Sequence, residues 1–332
     1  MKILVTGHRG YIGPHLVQLL KQRGHSVTGI DLGYFDDCAW EPLPQADEEI
    51  TGDFRALTAR DLAGFDCVCH LAAISNDPMG DQDPKLTFDT NRDGSIELAR
   101  RAKRAGVPRY FFSGSCSIYG KGETLDLDEE AKFNPVSAYA MSKVETEQTV
   151  RTLADGSFSP AFLRNATAYG YSPNLRIDLV ANNLLACAVA RGDIRIMSDG
   201  SPWRPLVHCK DIARAFTIFA EAPRELIHNQ AVNIGANDQN YQVRDVGDVV
   251  QKLLPAAKVV YTGEVGHDPR NYRVRFDKLN RLFPAFRLEF NLLTGLEDLL
   301  RKYRAHGFGL KDFEGNQFVR LRAIMPKLTP RK

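Results

Sequence analysis

Tyr139 and Lys143 stand four residues apart, so on a helix their side chains lie one above the other on a single face. A phenol titrates near about 10 and is a poor base at neutral pH. A neighbouring ammonium favours its ionised form and brings it towards the range that acid-base catalysis uses. Alone, the pair is a common decoration of exposed helices, where it does no more than carry solvated charge. Its company upstream gives it chemical meaning.

Gly7, Gly10 and Gly13 follow one another in Gly7-His8-Arg9-Gly10-Tyr11-Ile12-Gly13. Glycine lets the backbone turn sharply and come close to a pyrophosphate, which the free N–H groups and dipole of a following helix stabilise. The same trio also serves where only a tight strand-to-helix turn is needed. Asp31 lies about 20 residues further on, where a carboxylate accepts bonds from ribose hydroxyls and repels a 2′-phosphate. NAD is therefore expected over NADP, with Arg9 inside the loop offering a phosphate contact that would pull the other way.

These groups need a scaffold, and the hydrophobic pattern supplies one. Residues 2–6 read as a buried strand, 7–13 as a turn, 12–24 as a helix and 25–31 as a second strand. Strand, glycine turn, helix, strand is the βαβ unit of a parallel sheet covered on both faces. Further strands are predicted at 65–71, 110–113, 159–163 and 231–234, and helices at 90–105, 138–153 and 211–220. The pattern changes at the Tyr, Pro and Asn-rich stretch 169–174. Residues 1–168, with 205–236 returning to them, are expected to form an α/β, Rossmann-like doubly wound domain. Residues 169–204 and 237–332 form a smaller interleaved α/β lobe, with helices at 240–254 and 292–306 and a strand at 259–261.

Composition narrows the partners. The 332 residues are 43% hydrophobic with a net charge of +2, and no long segment is dominated by Lys or Arg, so neither nucleic acid nor a membrane surface is the expected partner. The cluster Arg100, Arg101, Lys103, Arg104 reads as a solvated helix face, and Arg320, Arg322, Lys327, Arg331 and Lys332 as a basic tail. The six cysteines contain no CxxC pair, which argues against zinc or a disulfide framework and for reduced thiols in the cytoplasm. No metal site is expected. The first residues lack the pattern of a signal peptide, and no apolar run approaches the roughly 20 residues of a membrane span.

Between the glycine loop and Tyr139 runs Phe112-Ser113-Gly114-Ser115-Cys116-Ser117-Ile118-Tyr119-Gly120. With loop, serine cluster and Tyr-x-x-x-Lys in this order, the sequence resembles the extended short-chain dehydrogenase/reductase family, particularly its nucleotide-sugar epimerases, over nearly the whole chain. The resemblance makes Ser115 the hydroxyl that hydrogen-bonds the reacting sugar oxygen, Tyr139 the proton carrier and Lys143 the ligand of the nicotinamide ribose. It sets Tyr11 and Ile12 on the cofactor with the glycines, Asp53 and Phe54 at adenine, and Leu71, Ala72 and Ala73 along the cofactor's flank. Asn91 is either a cofactor neighbour or structural. A nucleoside diphosphate sugar would be held by Ser115, Cys116, Ser117, Thr167, Asn183, Arg204 and Arg270. Arg204 suits a diphosphate because a guanidinium can grip it with two hydrogen bonds, although an interdomain salt bridge is its other reading. A homodimer through the helices at 90–105 and 138–153 is also implied.

Two departures from the family pattern bear on the reaction. Thr167 stands where an asparagine is usual, and Cys116-Ser117 replace the Asp-Glu pair of the family's 4,6-dehydratases. The expected activity is thus NAD-dependent epimerisation of a nucleotide sugar, at its 4-position, by transient hydride transfer with Tyr139 as acid and base. The alternative is reduction of a nucleotide-4-keto-sugar; a 4,6-dehydratase or a non-catalytic dinucleotide-binding protein fits less well.

Overall fold

The computed structural model describes residues 1–75, 77–121, 126–263 and 270–328. Seven strands form one parallel sheet: β1 (Lys2–Thr6), β2 (Ser26–Asp31), β3 (Glu48–Thr51), β4 (Cys67–His70), β5 (Arg109–Ser115), β6 (Ser159–Asn165) and β10 (Gln230–Ile234). Their order is β10-β6-β5-β4-β1-β2-β3. β1, β2, β4, β5, β6 and β10 are buried on both faces, which is why they read as apolar runs, whereas β3 at the edge is exposed. Side chains still alternate: Ile3 and Val5 enter one core while Leu4 enters the other.

The first core is closed by α1 (Gly13–Gln22), and the second receives Ile96, Ala99 and Ala102 of α4 (Ser95–Arg104) and Val150 of α5 (Ala138–Arg151). Ahead of α4 come two short helices, α2 (Asp77–Gln82) and α3 (Pro84–Thr87), and a π-helical stretch Phe88–Gly94. The single helix expected at 90–105 is therefore two kinds of helix end to end. Strand order reverses between β1 and β4, and their carboxyl ends open the crevice where such sheets bind ligands.

The smaller lobe has its own core. Its three-stranded sheet has the order β11-β9-β7, from β7 (Thr167–Tyr169), β9 (Trp203–His208) and β11 (Asn240–Gln242), and β8 (Asp193–Ile196) pairs with β12 (Lys258–Tyr261). Around them pack α6 (Val180–Arg191), α9 (Val243–Leu253) and α11 (Leu292–Ala305). The chain rejoins the large layer through α7 (Cys209–Glu221), α8 (Arg224–Ile227) and β10, and ends with α10 (Asp277–Leu282), α12 (Leu310–Glu314) and α13 (Arg320–Leu328). Residues 205–208, expected in the large domain, pair instead with β7 and β11. The reason is that β9 serves both cores, Leu206 facing the small one and Val207 the large one.

Candidate active site

Gly7 leaves β1 with φ +73°, a left-handed conformation that favours glycine. A methyl group there would lie 2.7 Å from the Ala72 nitrogen at the end of β4, and one on Gly13 would lie 2.4 Å from the His8 carbonyl oxygen. The loop is pressed flat between strand ends and helix start, as close approach to a pyrophosphate requires. Thr6 Oγ1 braces it, accepting from the Ala72 N–H at 3.2 Å and meeting His70 Nδ1 at 2.6 Å, while His70 Nε2 meets Ser95 Oγ at 2.7 Å. Burial pushes the His70 imidazole down to about 3, so it holds this chain of contacts as a neutral ring.

Asp31 ends β2 with Oδ1 accepting from Gly33 N–H (2.9 Å) and Oδ2 from Arg9 N–H (3.1 Å). The Arg9 guanidinium points away from the crevice, donating to Glu49 at 2.7 Å and Asp36 at 3.1 Å. Asp53 is on the crevice wall, where its carboxylate accepts from the Arg55 N–H and guanidinium, and Phe54 stacks edge-on against His70. Leu71, Ala72 and Ala73 continue the wall. Asn91 is buried behind it, with Oδ1 accepting from Ile74 N–H (2.8 Å) and Nδ2 donating to the Ile74 carbonyl (2.9 Å). It fixes the segment that follows β4 and does not line the crevice.

Tyr139 and Lys143 ride on α5, whose first turn is capped by Ser137 Oγ accepting from Ala140 N–H at 3.1 Å. A buried bidentate pair, Arg164 with Glu147 at 3.0 and 2.5 Å, clamps α5 to β6. Lys143 is buried, and its Nζ donates to the Ser113 carbonyl at 2.8 Å and lies 5.7 Å from the Tyr139 ring centre. Burial pushes its amine down to about 7. Ser115 sits at the end of β5, where its Oγ accepts from Ser117 N–H at 3.1 Å. It caps the turn and also lines the crevice. Ser117 lines it too, whereas Cys116 is turned into the core with its thiol on the Arg164 carbonyl, so no thiol faces the substrate from this position.

On the lobe side Thr167, Asn183, Arg204 and Arg270 all line the same crevice of about 1070 Å³. Arg204 donates to the Arg270 carbonyl, which brings the two expected phosphate ligands side by side. Asp268 and Pro269, just before Arg270 in sequence, lie outside the described residues, as do Arg331 and Lys332. Tyr11 joins the halves, its hydroxyl donating to the Gly170 carbonyl and accepting from Asn182 Nδ2 at 3.0 Å.

Sequence reasoning missed Arg176. It is buried in the crevice wall, bidentate on Asp178 at 3.0 Å, and its Nη1 donates to Ser75 Oγ at 3.1 Å. Burial opposes its charge and Asp178 supports it most, with an ionised Tyr139 adding a smaller attraction. The available signal was an Arg-x-Asp inside the apolar run 175–190, where burial demands that the two pair. Among the described residues no group of His, Cys, Asp or Glu could hold a metal ion, and no helix is long and apolar enough to cross a membrane.

A glycine loop, a strand-end carboxylate and a Ser-Tyr-Lys set opening on one crevice define a dinucleotide-dependent enzyme built on a doubly wound sheet. Residues 3–235 match the model of the NAD dependent epimerase/dehydratase family, and the chain belongs to that family. It is 27% identical to a UDP-glucose 4-epimerase of Bacillus subtilis, over 76% of this chain and 82% of that protein. Its fold resembles TunA, an NAD-dependent NDP-hexosamine 5,6-dehydratase of tunicamycin biosynthesis (TM-score 0.80, 25% identity, 92% of this chain and 98% of that one). It also resembles MoeE5 in complex with UDP-glucuronic acid and NAD (TM-score 0.79, 27% identity, 92% and 99%). NAD is the cofactor of this family, and the cradle formed by Gly7, Gly13 and Asp31 fits it.

Proposed function

We propose that this protein is a nucleotide-sugar epimerase that inverts the sugar's 4-position. The observation that carries this reading is the meeting of Ser115, Tyr139 and Lys143 with the glycine loop in one crevice. The relatives named as UDP-glucose 4-epimerases support it. Bound NAD supplies a reversible hydride acceptor beside the sugar. Tyr139 takes the hydroxyl proton and later returns it, with Lys143 and Arg176 favouring its anion. The Ser115 hydroxyl donates to the same sugar oxygen and holds it at Tyr139. Arg204 and Arg270 grip the diphosphate, leaving the sugar free to present either face between transfers.

Elimination of water needs a further acid-base pair beside the sugar, and the two positions after Ser115 offer a core-facing thiol and a serine. Epimerisation asks for neither. The test incubates the purified chain with UDP-, dTDP- and GDP-sugars in deuterated water, and in parallel with nucleotide-4-keto-sugars and NADH, followed by NMR and mass spectrometry. Expected is an isobaric mixture of 4-epimers with no net NADH change and no deuterium on carbon. Loss of one water mass would mark a dehydratase, and stoichiometric NADH consumption a reductase; either would overturn this reading. We also propose a homodimer through α4 and α5, whose outer faces share a groove lined by Arg92, Ile96, Arg100, Glu145 and Thr149. Light scattering at twice the monomer mass, reduced to one by charge reversal at Glu145, checks it.

A further inference from the structure

Among the described residues, one buried guanidinium of the crevice makes no ion pair. Arg176 is matched by Asp178. Arg320, the first residue of α13, has no such match: it is 2% exposed, and its Nη2 donates to the Asn174 carbonyl (3.0 Å) and to Asn174 Oδ1 (2.5 Å), both neutral acceptors. Its Nη1 is buried without a hydrogen-bond partner. The guanidinium lies 4.3 Å from the Phe35 ring centre, and both residues line the crevice. Burial and the like charge of Arg176 push it down to about 10. Asp178 attracts it only at a distance; a buried cation without a direct ion-pair partner is costly to keep, and the cost is offset once an anion arrives.

The surroundings say which anion. Asn174, the acceptor of Arg320, donates through Nδ2 to the Arg9 carbonyl in the glycine loop (2.6 Å) and to the Phe35 carbonyl beyond Asp31 (3.0 Å). Arg320 thus stands over the junction between the phosphate loop and the segment after the ribose-binding carboxylate. There the diphosphate of a dinucleotide passes to its adenosine ribose. The helix that carries it is tied down at the same place. Lys327 Nζ donates to Asp37 Oδ1 (2.7 Å) and the Tyr34 carbonyl, Gln317 Nε2 to the Asp37 carbonyl (2.8 Å), and Ile177 N–H to the Phe318 carbonyl (2.9 Å). All of α13 lies beyond the residues matched by the family.

We propose that Arg320 is a cofactor-binding residue: its unpaired Nη1 takes the diphosphate of bound NAD, and α13 closes the dinucleotide site from the chain's far end. The inference rests on the NAD crevice and is independent of which sugar is processed. Calorimetric titration of the full chain, freed of co-purified dinucleotide, with NAD and with ADP-ribose tests it. Adenosine, which lacks the diphosphate, is followed by ligand-observed NMR. Arg320→Gln is expected to weaken NAD and ADP-ribose about 10- to 100-fold, the worth of one or two charge-assisted hydrogen bonds. Adenosine binding is expected to be unchanged and Arg320→Lys to recover much of the loss. Arg320→Met, which keeps the stem against Phe35, carries the same test if the Gln variant does not fold. Equal weakening of all three ligands would reduce Arg320 to a fastening of α13, and no weakening would remove it from the site; either overturns the proposal. A wild-type chain that binds neither NAD nor ADP-ribose would overturn the dinucleotide reading together with it.

Discussion

Lys143 should leave a measurable signature in the stability of the cofactor-free protein. Its ammonium is buried against the Phe112 ring at 4.6 Å, with one carbonyl acceptor, and its pKa is held at about 7. The unfolded chain keeps that lysine protonated up to about 10.4. Between these values unfolding takes up a proton, so stability rises with pH; below about 7 both states are charged and the burial cost is fully present. Working the two titrations through, stability gains about 2 kcal/mol between pH 7 and pH 9 from this residue alone. The perturbation is Lys143→Met, which keeps the apolar stem and removes the titration. Urea unfolding of both proteins at the two pH values isolates the effect as a difference of differences. His70, which Lys143 also influences, titrates well below this window. A wild-type minus variant difference that stays flat within about 0.5 kcal/mol would show that the folded protein keeps Lys143 protonated. The account of its burial would then be wrong.

Other outcomes follow from the same geometry. Tyr139→Phe should bind NAD as the parent does yet lose about 10²- to 10⁴-fold in kcat on the true substrate, the usual worth of a positioned acid-base group. Unchanged turnover would remove Tyr139 from the chemistry. Gly7→Ala should cost at least about 2 kcal/mol in chemical denaturation, because its left-handed φ and the 2.7 Å approach to Ala72 both resist a methyl group. Gly10→Ala, whose nearest neighbour is the Gly7 carbonyl at 3.1 Å, should fold and be read in NAD affinity instead. Asp31→Asn should weaken NAD about tenfold and narrow the preference over NADP, measured by titration of both. Since Glu49 and Asp36 hold the Arg9 guanidinium, NADP should gain further only when Glu49→Gln is added.

What could be read from sequence, and what could not, divides along the distance over which the physics acts. The glycine loop, α1 and the Tyr139–Lys143 spacing are local: backbone freedom, helical periodicity and a strand that alternates between two cores fix them within a few residues. β3 escaped because Glu48–Thr51 is an exposed edge strand with no apolar period to reveal it. The boundary near 205 is not sharp in sequence because Leu206 and Val207 are equally apolar, and only the fold decides that they face different cores. Arg9 and Arg320 make the contrast sharpest. By position Arg9, inside the loop, looked like the phosphate ligand and Arg320, near the end, like a loose basic tail. Folding gives Arg9 to Glu49 and Asp36 and carries Arg320 across the molecule to Phe35 and Asn174. A cation's availability depends on which carboxylates reach it, and that is settled by contacts between segments far apart in the chain. Under the proposal above, a cofactor phosphate would meet Arg320 rather than Arg9.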